Sequence, residues 1–247
     1  MGQGDMEQRQ GEMAVLTELR KTKDVNIDPR EEAAYKVFYS LKPEEVEKKI
    51  QLGNDFLQRY PKSLLAEAVD AGLMNAYYGK QDWKNVYASA DSALGLKPDD
   101  VDVLTTVGWL IPHVSKSSDP DADKQLDKAE GYEKHALEVM GTMPKPSYLT
   151  DAQFAASKAQ KSVQAHSGLG LVYFRRGNFE ESAKELQQAV QGNASPDQTD
   201  LFVLGVDLQN LYRFSEAVDA FERCVQAPGG LQDNCKQSAA DAKKQVR

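Results

Sequence analysis

Residues 170–190 read GLVYFRRGNFEESAKELQQAV, and residues 205–225 read GVDLQNLYRFSEAVDAFERCV. Both open on a small residue (Gly170, Gly205), carry an aromatic or apolar residue three on (Tyr173, Leu208) and an aromatic nine on (Phe179, Phe214), then alternate small and apolar residues. The pattern recurs while the identities change. Self-similarity at a period of about 35 residues marks an array of short units, each burying its apolar side against its neighbours. A chain of 247 residues built this way needs no single central core.

Local signals assign the units to helices. Asp28, Thr150 and Ser195 each stand three residues before Glu31, Gln153 and Gln198, the spacing at which a side-chain oxygen caps an unpaired amide of a first turn. Pro29 and Pro196 fit a first helical position, and Pro43 opens another helix, with Gly53 as a weak point inside it. The expected helices run over 29–39, 43–59, 63–79, 83–95, 100–112, 121–140, 151–176, 179–191, 196–211, 214–226 and 230–245. No stretch sustains period-two alternation with β-branched residues, so the fold class is all-α.

Composition narrows the partners. With 40% hydrophobic and 28% charged residues the chain is globular, and a net charge of −8 with a pI near 5.1 gives no basic footprint for nucleic acid. Apolar runs such as 101–114 are interrupted and too short for membrane insertion. The first fifteen residues, MGQGDMEQRQGEMAV, lack the apolar core of a leader, which leaves a cytoplasmic chain and an exported chain without its leader both open.

Four helix pairs carry the repeated pattern, which resembles the tetratricopeptide repeat, a helix-turn-helix unit of about 34 residues. The third has Leu169, Gly170 and Tyr173, the turn Gly177, Asn178 and Phe179, then Ser182 and Ala189; the fourth has Leu204, Gly205, Leu208, Phe214, Ala217, Phe221 and Cys224. An earlier copy has Leu73, Tyr77, Asp82, Trp83, Ala93 and Pro98, with Met74 where a small residue is usual. Another has Leu104, Val107, Gly108, Ala129, Ala136 and Leu137, lengthened by about nine residues around PHVSKSSDPDAD, because Gly108 to Ala129 spans 21 residues and Gly170 to Ser182 only 12. The segment KIQLGNDFLQRYPKS is similar to the second half of a leading repeat. The stretch YPKSLLAEA followed by QDW is also similar to periplasmic bacterial repeat proteins, including lipoprotein components of outer-membrane assembly machines, although no cysteine stands near this N-terminus.

The resemblance implies a right-handed α-α superhelix, a solenoid of antiparallel helix pairs over residues 29–226. Residues 1–28 are then expected as a flexible extension and 227–247 as a capping helix. First helices line the concave surface in such folds, which places Asn75, Tyr78, Thr105, Trp109, Leu171, Phe174, Arg175, Phe202, Val206 and Gln209 in a groove for a protein or peptide. The alternative is a groove filled by the chain itself, by the helix before His166 or the last helix. The family's carboxylate clamp is not expected: Asn75 fits it, but Ala71 and Thr106 stand where Lys and Asn belong.

Other chemistry finds little support. The residues of DPDADKQLDKAE (119–130) place acids as a calcium loop would, but Lys124 occupies the glycine place, and the competing reading is a helix start with Asp119 as cap and Pro120 first. His113, His135 and His166 have no ligand spacing, and no GxSxG, phosphate loop or HExxH occurs, so neither a cofactor, a metal nor catalysis is expected. Cys224 and Cys235, flanking an APGG turn, either staple the last helix as a disulfide or pack as two thiols. The expected function is a non-catalytic interaction scaffold, with a structural subunit of a bacterial envelope assembly as the alternative; the oligomeric state is open.

Overall fold

The computed structural model describes residues 15–17, 19, 27–116 and 118–246. Among them eleven helices are delimited: α1 (Pro29–Ser40), α2 (Val46–Arg59), α3 (Ala66–Gly79), α4 (Trp83–Leu96), α5 (Val101–Val114), α6 (Ala122–Thr142), α7 (Asp151–Arg175), α8 (Phe179–Gly192), α9 (Gln198–Asn210), α10 (Phe214–Gln226) and α11 (Gln232–Lys243). No strand occurs among the described residues. The chain forms two compact units, residues 1–103 with 146–150, and residues 104–145 with 151–247.

In the first unit, consecutive helices α1 to α4 pack on one another. Asp28 caps α1, its Oδ1 accepting the Arg30 amide at 2.8 Å. Phe38 of α1 is fully buried and is met by both following helices: a Cβ on Gly53 would lie 2.8 Å from its ring and one on Gly72 would lie 2.7 Å from it. Gly53 is therefore the point of close approach rather than a weak point of α2. Pro43 does not open that helix; it sits in a turn closed by the Glu45 amide on the Lys42 carbonyl, and α2 begins at Val46. The expected extension over 1–28 lies mostly outside the described residues; within it, 15–17 and 19 are helical and Leu16 is buried in the cluster of Tyr35, Phe38 and Phe56.

In the second unit, α6 to α11 pack in succession and α9 also meets α7. Small residues set the spacing within pairs. A Cβ on Gly170 would lie 2.5 Å from Leu186, and one on Gly205 would lie 2.5 Å from Phe221. These pairs stand sixteen positions apart, as do Met74 and Ala90 of the first unit, both buried. There the size order is reversed: the large residue stands on the first helix and the small one on the second, which leaves the packed volume nearly unchanged.

The turns repeat as faithfully as the helices. Gln81, Gly177 and Tyr212, each seven positions after Met74, Gly170 and Gly205, have left-handed φ of 57°, 72° and 59°. The next residue in each turn donates its amide to a carbonyl five back, Asp82 to Tyr77, Asn178 to Tyr173 and Arg213 to Leu208. Only Gly177 adopts this conformation without strain; Gln81 and Tyr212 accept a cost of about 1–2 kcal/mol.

Two further starts differ from expectation. Asp197 rather than Ser195 caps α9, accepting the Thr199 amide at 2.7 Å, so Pro196 precedes the helix. Asp119 closes a turn with Ala122, and α6 begins at Ala122, not at Pro120. Cys224 and Cys235 are joined as a disulfide with Cα atoms 5.8 Å apart, tying α11 to α10. The Gln198 side chain braces the same turn, donating to the Cys224 and Ala227 carbonyls at 3.0 and 3.2 Å and accepting the Leu231 amide at 2.7 Å.

Candidate functional site

The first helices of the second unit, α5, α7 and α9, hold eight of the ten groove residues expected from the sequence. Trp109, Phe174, Arg175, Phe202, Val206 and Gln209 are half-buried. Thr105 and Leu171 are not surface residues: they are 1% and 6% exposed. Leu171 belongs to the core with Leu186, Leu201 and Leu204, while α5 is apolar nearly all round, Leu104, Val107, Leu110 and Ile111 being buried beside Thr105. Asn75 and Tyr78 are exposed on α3 of the first unit, with the Tyr78 ring 5.9 Å from Trp83. Phe174, Phe202 and Val206 rest on the core of the second unit, the Phe202 ring 5.8 Å from Phe221.

Trp109 anchors a polar chain across three helices. Its indole Nε1 donates to Ser167 Oγ at 3.1 Å, and Ser167 donates to Asp200 Oδ1 at 2.7 Å. One turn beyond Trp109, the His113 ring lies against the indole with centroids 3.8 Å apart. Its Nδ1 is 2.7 Å from the Trp109 carbonyl, which can only accept, so Nδ1 carries the proton and Nε2 presents a lone pair when the ring is neutral. Arg175 closes the end of α5, one guanidinium nitrogen donating to the Pro112 and Ser115 carbonyls at 2.7 Å each.

Burial sets the charge states. It pushes Asp200 up to about 7 against the Ser167 hydrogen bond, with the nearby Asp197 charge adding to the rise. It lowers His113, opposed by the bond to Trp109 and by Asp197 and assisted by Arg175. Asp207 of α9 is also pushed up to about 7 by burial; Ser182 Oγ lies 2.5 Å from its Oδ2 while Oδ1 has no partner.

Glu133 of α6 is the strongest departure from the repeat. It is fully buried, neither carboxyl oxygen has a hydrogen-bond partner, and burial raises its pKa well above the carboxylate range. A Cβ on Gly108 would lie 2.6 Å from its Cδ, and one on Gly168 would lie 2.4 Å from its Oε1. Once the nine inserted residues are subtracted, Glu133 stands sixteen after Gly108, the place filled by Leu186 and Phe221 in the following repeats. A carboxyl thus occupies the place of a packing side chain, in the seam between α5 and α7.

Acids of residues 119–130 have partners within the chain. Asp127 and Glu130 are helical and both pair with Arg176, Asp119 accepts the Lys116 amide and Asp121 accepts Gln125. No group of three or more His, Cys, Asp or Glu suited to a metal occurs among the described residues. His166 pairs with Glu185 at 2.6 Å, and His135 lies 3.9 Å from Glu138. The segments expected as candidates for filling the groove have other contacts: α11 packs on α10, and residues before His166 continue α7, which packs on α6. No described helix is both long and apolar enough to cross a membrane.

Sequence reasoning did not join Trp109 to Ser167 and Asp200, because the bonds span 58 and 33 residues; His113, four residues on, lay within reach of helical spacing. Glu133 carried a signal, its register opposite Gly108, but only after the insertion is removed.

No protein-family model and no curated protein sequence matches the chain. Its fold is similar to three solved structures at 15% identity. YrrB, described as a TPR protein with an unusual peptide-binding site, matches with a TM-score of 0.57 over 92% of this chain and 97% of that one. PilW, described as a type IV pilus biogenesis factor, matches with a TM-score of 0.54 over 89% and 93%. The MamA RS-1 ArsTM double mutant matches with a TM-score of 0.53 over 81% and 96%. With the glycine-spaced helix pairs and the recurring turn, these similarities make the fold an all-α one of the tetratricopeptide type.

Proposed function

We propose that the chain is a non-catalytic interaction scaffold and that the α5–α7–α9 face of the second unit binds a peptide or a partner's helix. The observation that carries this reading is the run of half-buried Trp109, Phe174, Phe202 and Val206 on three first helices, where a solvated face would carry charge. Peptide binding by the structurally similar YrrB supports it. The test is affinity capture with the full chain, comparing the native protein, a Trp109→Ala/Phe174→Ala variant and a control Glu181→Ala/Lys184→Ala variant on α8. The reading expects a partner lost from the first variant alone, with helicity unchanged by circular dichroism. Equal capture by all three overturns it.

A second reading, a structural subunit of a bacterial envelope assembly, draws on the Cys224–Cys235 disulfide, which persists in oxidising compartments, and on the likeness to PilW. Alkylation of thiols in intact cells tests it: blocked Cys224 and Cys235 favour this reading, and two alkylated thiols oppose it.

A further inference from the structure

The polar centre beside the groove has directed its donors inward. The Trp109 N–H goes to Ser167, the Ser167 O–H to Asp200, and the His113 Nδ1–H to the Trp109 carbonyl. What remains when Asp200 is ionised is acceptors: His113 Nε2, the second oxygen of Asp200, and the second oxygen of Asp197, whose Oδ1 is taken by the Thr199 amide. Asp197 is exposed and its charge is felt by both His113 and Asp200. The nearby cation, Arg175, is engaged with the Pro112 and Ser115 carbonyls at the negative end of α5.

Glu133 adds an independent observation. Gly108 and Gly168, whose backbones its carboxyl meets, are the chain neighbours of Trp109 and Ser167. The unpartnered carboxyl therefore points into the α5–α7 seam at the level where the Trp109–Ser167 bond closes it. A leucine or phenylalanine would pack there, as in the next two repeats, so the carboxyl leaves two buried oxygens without a hydrogen-bond partner.

We propose that the segment bound on this face carries a lysine or arginine side chain, inserted beside Trp109 among the acceptors of His113, Asp197 and Asp200. The proposal rests on the reading of this face as a binding groove and names the chemistry of its occupant. An ammonium or guanidinium brings only donors and favours the ionised form of Asp200, in which the remaining oxygens and His113 Nε2 can only accept. The net charge of −8 attracts a basic partner at long range. Glu133 supplies negative charge beneath the site once a cation favours its ionised form.

The experiment selects from a randomised decapeptide display library on the immobilised full chain with its disulfide intact. The expected pool is enriched in Lys or Arg at one position, next to apolar residues, and synthetic members lose about tenfold in affinity when that residue becomes Gln. Asp197→Asn/Asp200→Asn abolishes the basic preference and keeps the apolar one. Glu133→Leu, which installs the residue of the next repeat and so retains the packing, weakens the preference as well. A pool of acidic or uncharged peptides overturns the proposal; if those peptides are lost from Phe174→Glu/Phe202→Glu, the groove reading survives on its own. A pool no richer than that from uncoated beads overturns both.

Discussion

Replacing Glu133 with leucine should stabilise the protein, contrary to the usual result of altering a fully buried residue. The carboxyl is 0% exposed and both oxygens lack partners. A buried polar group without a hydrogen bond costs about 1–3 kcal/mol, and leucine is already accommodated against glycine at the matching place, Leu186 on Gly170. The expected gain is about 2 kcal/mol, or a Tm higher by roughly 4–8 °C for a chain of this size. The pH dependence follows from the same burial. An acid whose folded-state pKa is raised holds its proton longer in the folded than in the unfolded state, so its contribution is fully present below the ordinary carboxylate range and is lost as pH rises through the folded value. Asp200 and Asp207, pushed up to about 7, act in the same direction between about pH 4 and 7. Wild-type stability should therefore fall across that window, by at most about 1.4 kcal/mol per pH unit for each group. Glu133→Leu should retain the part owed to the two aspartates and lose its own. Thermal melts at pH 4.5, 6 and 7.5 read this directly. A variant less stable than the wild type, or one with an unchanged pH slope, refutes the reasoning.

Three further outcomes concern the fold. Gly170→Ala places a methyl 2.5 Å from Leu186 and should cost about 1–3 kcal/mol, whereas Gly131→Ala on α6, with nothing within 4 Å, should gain about 0.5–1 kcal/mol; urea unfolding compares them. Cys224→Ser/Cys235→Ser opens a cross-link of sequence separation 11 and should cost about 3 kcal/mol. Hydrogen exchange in that variant should accelerate in α11 before α7 and α8, because α11 is joined to the unit through α10 and the Gln198 brace. Tyr212→Gly should stabilise by about 1 kcal/mol in the same urea assay, relieving a left-handed φ of 59° at a residue 82% exposed.

The helices were legible because their signals are local. Asp28 with Pro29 marks the start of α1, and the recurrence of Gly170 at Gly205 fixes the register of two helix pairs. Pro43 and Ser195 misled because proline serves turns and first helical positions equally, and the choice fell to Glu45 and Asp197, which satisfy the adjoining backbone. Projection reached the surface where one side of a first helix meets solvent, as at Trp109 and Phe174. It failed at Thr105 and Leu171, where neighbouring elements cover the projected face. The Trp109–Ser167–Asp200 chain could not be read, since no spacing within one helix announces a bond between helices.

Binding on the α5–α7–α9 face can be read out in the cell. The most direct measurement places a photo-crosslinking amino acid at Phe174, and in a second protein at Glu222 on α10, in the full chain within cells of its source. The account predicts a discrete adduct with one partner from Phe174 and none with that partner from Glu222; an adduct from Glu222 alone would contradict it.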